Sequence, residues 1–452
     1  MRSAAESLAV ASQPAQTRDG TVFATGWLLL AGAALLLGLH GLALHLQLAK
    51  SIGPNLLAIL AESAVHLAIV WGVLSGRIRI PLPLLIGIAV LLRLAVLLPD
   101  PHHSTDVYRY VWDGRVQAAG INPYRYVPSD PALASLRDTA IWPLINRADY
   151  APTIYPPAAE AFFWLATRLG ETAVAMKAAL LAAEAVALWC VVRLLDLDGL
   201  PRDRAVILAW SPLAAWEIAG SGHVDALMAA LVVGAVLLAR RRGGLAAGAT
   251  LGLAVLVKFL PLALLPAFWR WWDWRLPAVV AGVVVAGYLP YLGAGAAVLG
   301  FLPGYAGEEG ITSGTGFWLL RAARDVTGLA IPTAAYLALA AVALLTLALA
   351  VTTWPERERI TRGALALAAA AVLALTPAYP WYCLWLLPLL CLRPSWPLLW
   401  LTGSAFLLYA TDLRVHRWPL DVVYGGTLSA LAATVAARSL RRRRIAPTRL
   451  ST

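Results

Sequence analysis

Residues 100–157 read DPHHSTDVYRYVWDGRVQAAGINPYRYVPSDPALASLRDTAIWPLINRADYAPTIYPP, a polar stretch in an otherwise apolar chain. Hydrophobic residues fill 60% of the 452 positions, 13% are charged, and mean hydropathy is +0.72. Such a composition belongs to polytopic membrane proteins. The contrast sets the fold class: an all-α bundle of membrane helices carrying one large polar loop. A long connection crowded with carboxylates, arginines, histidines and tyrosines points to function.

Working outward, apolar runs long enough to span a bilayer, roughly 20 residues each, begin near Trp27, Pro54, Pro81, Thr172, Ala205, His223, Leu245, Leu276, Ile331, Gly363, Trp381, Trp396 and Asp421. The net charge of +11 comes from arginines in short connections: 77–79, 202–204, 240–242, 270–275, 357–362 and 438–444. Under the positive-inside rule these are cytoplasmic, so the charge reads as topology and not as a nucleic-acid footprint. The rule predicts about 14 crossings with both termini inside. It places the 100–155 loop and the connections 220–225, 296–316 and 412–421 on the external side. That count needs a juxtamembrane helix over 156–169 and a broken pair of short helices over 245–269, split at Lys258-Phe-Leu-Pro261. The N-terminal polar tail shows no cleavable signal. The chain divides into a cytoplasmic tail (1–23), two N-terminal spans (24–80), a loop-bearing module (81–300, with its external loop at 100–171), C-terminal helices (301–437) and a basic cytoplasmic tail (438–452). Three cysteines without metal-like spacing (190, 383, 391) argue against a disulfide framework or a zinc site. His102 and His103 are adjacent, which rarely lets both face one ion, and no second ligand cluster accompanies them. No metal or other cofactor is expected.

Asp106 is the candidate base. From Ser104 the chain is expected to be helical, with Asp106, Arg109, Tyr110, Asp113 and Gln117 on one face at offsets of 3, 4, 7 and 11. Asp113 is the second candidate carboxylate, with Arg109 and Arg115 as binding groups. The alternative is a capping Asp106 beside a surface Arg109–Asp113 ion pair. Asn122-Pro123 marks a turn and Pro156-Pro157 a helix start. Asn122, Tyr124 and Tyr155 offer polar groups and flat rings suited to a sugar, although tyrosines also anchor chains at membrane interfaces.

Farther along, Glu217, His223 and Asp225 cluster in WEIAGSGHVD, and ionisable residues at membrane depth usually face a cavity; helix capping is the alternative. Of three lysines, only Lys258 sits at a proline break inside an apolar run, where an ammonium needs an anion. A lipid phosphate, Asp225 and Glu217 are the options. Glu308 and Glu309 stand in the second external loop. Arg414 and His416 in the last connection run against the positive-inside trend, as an anionic ligand would require.

Four segments carry a resemblance: DVYRYVWDGRVQAAGINPYRY (106–126), TIYPP (153–157), GSGHVDALM (220–228) and LAVLVKFLPLALLP (253–266). The chain resembles the GT-C superfamily of integral-membrane glycosyltransferases, and within it bacterial proteins grouped with polyprenyl-phosphate-mannose-dependent mannosyltransferases. The resemblance implies a catalytic carboxylate in the first large external loop, matched by Asp106. It also implies transfer of a hexose, mannose foremost, from a polyprenyl-phosphate donor to a lipid or glycan acceptor, with inversion. The setting would be the external face of a bacterial plasma membrane. A transporter or flippase of a lipid-linked sugar is the competing class, since broken helices and intramembrane charges mark transporters too; the missing repeat and the one-sided polar residues weigh against it.

Overall fold

The computed structural model describes residues 18–413 and 415–445; the candidate Arg414 lies outside them. Every regular element among the described residues is helical. Six helices are long and apolar enough to cross a membrane: Gly26–Leu48, Ile52–Leu74, Ala173–Asp198, Arg275–Glu308, Thr333–Thr352 and Trp418–Leu440. Shorter apolar helices run Leu82–Leu97, Gly244–Val255, Pro380–Leu392 and Trp396–Tyr409. The protein is a multi-pass helical membrane protein. Its outer faces agree: Leu339, Val342, Leu345 and Leu349 are each at least 60% exposed, a surface that lipid covers and water would not. The three cysteines are free and buried.

Helix ends follow local chemistry. Thr172 accepts the Ala175 N–H at 3.1 Å and starts Ala173–Asp198, while Gly199, at φ +64°, ends it in the left-handed conformation that glycine tolerates best. Pro157 occupies the first turn of Pro157–Thr167, within the expected juxtamembrane segment. The break expected near Lys258 is present: Gly244–Val255 ends, and a 3-10 turn at Leu260–Leu264 resumes the chain. The freed Leu256 carbonyl accepts the N–H groups of Ala158 and Ala159, at 3.0 and 3.2 Å. One helix break thereby caps the start of another helix.

The run from Ala205 differs from the single span that hydropathy suggests. It is divided into Val206–Ala209, Pro212–Ala214 and a π turn over Ala215–Gly220. Buried side chains satisfy the carbonyls released by the break: His66 Nε2 donates to Val206 O at 3.0 Å, and Arg93 Nη2 to Leu208 O at 3.2 Å. Arg93 also bonds Ala209 O and pairs with Glu184 at 2.6 Å. Irregular backbone inside an apolar bundle requires such partners, and hydropathy alone does not register them.

Candidate active site

The expected loop helix forms over Asp106–Ala118, with Asp106 in its first turn. The Asp106 N–H donates to Ser104 Oγ at 3.2 Å, and no side chain caps the helix start. The carboxylate is free to turn outward and is 20% exposed. Asn146 Nδ2 donates to its Oδ1 at 2.7 Å, and His223 Nδ1 lies 3.9 Å from its Oδ2.

Asp113 has a different environment. Arg109 Nε donates to both its oxygens at 2.8 and 3.0 Å, and Arg109 Nη1 to Ala151 O at 3.0 Å. The pair foreseen as a surface contact is formed but buried. Glu160 of Pro157–Thr167 sits in the same buried compartment, accepting from Thr153 Oγ1 at 2.5 Å and from Gln117 Nε2 at 2.8 Å. Burial pushes both carboxyls up; Arg109 opposes the rise at Asp113, and the charge of Asp113 adds to it at Glu160. Asp113 is tied into packing, whereas Asp106 faces open space.

That space is a polar cavity of about 320 Å³, lined by His102–Asp106, Arg109, Asn146, Arg147, Tyr155, Lys258, Tyr305, Tyr379, Trp381 and Tyr382 among others. An apolar groove of about 740 Å³ adjoins it, walled by Leu260, Leu262, Leu302, Phe317, Leu337, Leu344, Ala374 and Leu375 among others. Both volumes suit small-molecule sites, about 300–1,000 Å³. The two share Ile154, Tyr155, Lys258, Tyr305 and Tyr382. At this junction Lys258 Nζ donates to Asp225 Oδ2 at 2.7 Å and Oδ1 at 2.9 Å, and lies 4.3 Å from the Tyr382 ring centre.

Of the residues singled out in the sequence, Asp106, Arg109, Tyr155 and Lys258 line the cavity. Glu217, His223 and Asp225 are fully buried, His223 against Asp106 and Asp225 against Lys258. Arg115, Asn122 and Tyr124 are not in the cavity lining; their polar groups hold the loop together. Arg115 binds Glu171 at 2.8 Å, Asp138 at 2.6 Å and Leu136 O at 3.0 Å. Asn122 Nδ2 donates to Tyr291 O at 3.0 Å, and Tyr124 OH to Tyr155 O at 2.6 Å. His416 is exposed and lines neither cavity.

Several lining residues escaped the sequence reading. Arg147, at φ +53°, pairs with Glu308 at 2.7 Å and so ties the first large loop to the end of Arg275–Glu308. Tyr379, Trp381 and Tyr382 come from TPAYPWY (376–382), whose two prolines and three aromatics between apolar runs were an available signal. Nothing local marks Asn146 or Tyr305. His103 Nε2 donates to Asn55 Oδ1 at 3.0 Å, and Asn55 Nδ2 to Ala43 O at 2.7 Å, so the two N-terminal helices buttress the cavity wall.

Neither a curated protein nor a solved structure matches the chain. Residues 20–274 of the 452, more than half, match the family described as Alpha-(1->6)-mannopyranosyltransferase, N-terminal domain. The match takes in the two N-terminal helices, Asp106, His223 and Lys258 alike, and the chain belongs to this GT-C-type family of mannosyl-transferring glycosyltransferases.

Proposed function

We propose that the protein transfers mannose from a polyprenyl-phosphate donor to a hydroxyl of a lipid or glycan acceptor, at the external face of a bacterial plasma membrane. The observation carrying this reading is the junction of the two cavities. A polar chamber with one outward-facing carboxylate opens at Lys258 into an apolar groove. A sugar fits the first, an isoprenoid chain the second, and a phosphate the cationic boundary between them. The external side follows from the arginine distribution, and it explains a lipid donor, since nucleotide sugars are cytoplasmic.

The reaction is a single displacement. Asp106 takes the proton of the acceptor hydroxyl while its oxygen attacks the anomeric carbon. The bond from that carbon to the phosphate oxygen breaks on the opposite side, inverting the configuration. If the product is α-(1→6)-linked, as the family name suggests, the donor is the β-phosphate. The polyprenyl phosphate leaves as an anion, so it needs charge neutralisation and not protonation; Lys258, Arg147 and the cavity tyrosines supply it. One free carboxylate is therefore enough, unlike a hydrolase that needs an acid and a base.

The test is purified protein incubated with a panel of polyprenyl-phosphate sugars, GDP-mannose and a membrane lipid extract, read by mass spectrometry. A product one hexose heavier should form from polyprenyl-phosphate mannose alone. Product from GDP-mannose in the absence of lipid carrier would overturn the donor assignment. Movement of labelled lipid-sugar across vesicles without product would replace transfer by transport.

A further inference from the structure

His223 is buried directly behind Asp106, and the fold goes to some length to hold it there. It ends the turn that follows the π turn Ala215–Gly220. Within that turn Gly222 takes φ +79°, and a Cβ on it would stand 2.9 Å from both Lys177 Cγ and Val107 Cγ2. The backbone is thus pressed against the first turn of the Asp106 helix, where only glycine fits. Lys177 fixes the same corner by donating to Pro99 O at 2.7 Å and Gly220 O at 3.2 Å. The imidazole stacks on Trp381 with centroids 3.9 Å apart, and Trp381 stacks on Tyr379 at 4.4 Å.

The two ring nitrogens point at two different carboxylates. Nδ1 lies 3.9 Å from Asp106 Oδ2, and Nε2 lies 3.0 Å from Glu217 Oε2. Neither contact is aligned as a hydrogen bond, so both nitrogens of this fully buried ring are without a partner, as is Glu217 Oε1. Buried polar atoms left in that condition are uncommon and call for a reason. Glu217 Oε2 accepts from Tyr409 OH at 3.3 Å, and Tyr409 stacks on His103 at 4.6 Å. The titratable and charged groups around the imidazole are Asp106 from the loop helix, Glu217 from its own segment, Tyr409 from the end of Trp396–Tyr409, and the Lys258–Asp225 pair at the cavity junction.

We propose that His223 and Glu217 form a proton relay behind Asp106, a role that rests on Asp106 being the base. As the glycosidic bond forms, the acceptor's hydroxyl proton passes to the Asp106 carboxylate and from there to His223 Nδ1. The ring, neutral with its proton on Nε2, becomes an imidazolium facing Glu217. No electrons are exchanged, and the proton returns through Asp106 to water when product leaves. Asp106 and His223 need to close by about 1 Å to reach hydrogen-bond range, a tightening usual on substrate binding. The chemical gain lies in placement: the proton's charge comes to rest between two carboxylates, Asp106 at 3.9 Å from Nδ1 and Glu217 at 3.0 Å from Nε2. Both His223 and Glu217 act through Asp106 and touch no substrate.

The experiment measures kcat, donor KM and melting temperature over pH for Asp106→Asn, His223→Phe, His223→Asn and Glu217→Gln. Phenylalanine keeps the stack on Trp381 and removes both nitrogens; asparagine keeps a polar atom near the Nδ1 position. The relay requires His223→Phe and His223→Asn alike to lose roughly 10–10²-fold in kcat at unchanged KM and melting temperature, because an asparagine amide cannot take up a proton; recovery in His223→Asn would make the residue a hydrogen-bonding prop and overturn the relay. Glu217→Gln should move the acid limb of the kcat profile to lower pH, because the imidazolium loses its counter-charge. A folded His223→Phe with wild-type kcat, or a Glu217→Gln profile superimposable on wild type, overturns the relay. If His223→Phe loses its fold, the Glu217→Gln profile decides. An active Asp106→Asn would instead remove the base assignment, so the two failures are distinguishable.

Discussion

Lys258 Nζ and both carboxylate oxygens of Asp225 lie within 2.9 Å of each other where the polar cavity meets the apolar groove. Asp225 is fully buried, and Lys258 keeps 16% of its side chain exposed at the junction. Of the three anions open to Lys258 from sequence, the fold supplies Asp225, and a phosphate would be a second partner.

Lys258→Met leaves the Asp225 carboxylate buried and alone, which costs about 3–5 kcal/mol and should lower the melting temperature sharply in detergent. Adding Asp225→Asn should restore most of it. The restored double variant is then expected to bind the proposed polyprenyl-phosphate donor more weakly by about 1.5–3 kcal/mol, the scale of a charged hydrogen bond. Unchanged donor binding in the double variant would leave Lys258 purely structural.

Asp106→Asn should reduce turnover by about 10²–10⁴-fold or more with melting temperature and donor binding near wild type, because this carboxylate meets the cavity and holds no buried charge. Asp113→Asn should behave in the opposite way. It strips the buried Arg109 of its partner, so loss of stability precedes any effect on chemistry. Thermal melts beside single-turnover rates separate the two.

Gly114→Val should separate the loop helix from Pro157–Thr167. A Cβ at this position would stand 2.5 Å from Phe163 O and 2.6 Å from Thr167 Cγ2, and a backbone carbonyl cannot rotate away as a side chain can. Overpacking of this kind costs about 1–3 kcal/mol, readable as a fall in melting temperature.

The loop's acid response should depend on Arg115. Burial would raise the Asp138 carboxyl, but the Arg115 guanidinium and the N–H groups of Trp142 and Ile141 outweigh it and hold the group at about 2. A lowered carboxylate contributes stability that is present above its unfolded value, near 3.8, and is lost as pH falls through about 2. Asp138 is 36% exposed, so solvent screening keeps the contribution to about 1 kcal/mol or less. Amide exchange over residues 137–145 should stay protected down to about pH 3 in the wild type. In Arg115→Met that protection should be lost at a higher pH than in the wild type.

Membrane sidedness is accessible by labelling. Cysteines introduced as Ser129→Cys and Ser313→Cys should react with an impermeant reagent from outside, and Ser439→Cys only after permeabilisation. Labelling of Ser129→Cys from the cytoplasm alone would withdraw the argument for a lipid donor.

Local and periodic features are legible in the residues alone. Apolar run length gave the helical membrane class, the 3.6-residue period gave a loop helix from Ser104 that forms from Asp106, and prolines gave the break near Lys258 and the start at Pro157. Which distant groups meet depends on the packing of the helices. Asn146 reaches Asp106 across 40 residues and Arg147 reaches Glu308 across 161. No local pattern encodes such encounters, because they follow from how the helices pack and where their ends converge. The polar loop also misleads as a site list. Arg115, Asn122 and Tyr124 look as reactive as Asp106 in sequence, yet an irregular segment must satisfy its own backbone and charges. Arg115 and Tyr124 are consumed in doing so, and Asn122 in tying the loop to Tyr291, which leaves the Asp106 carboxylate turned toward the cavity.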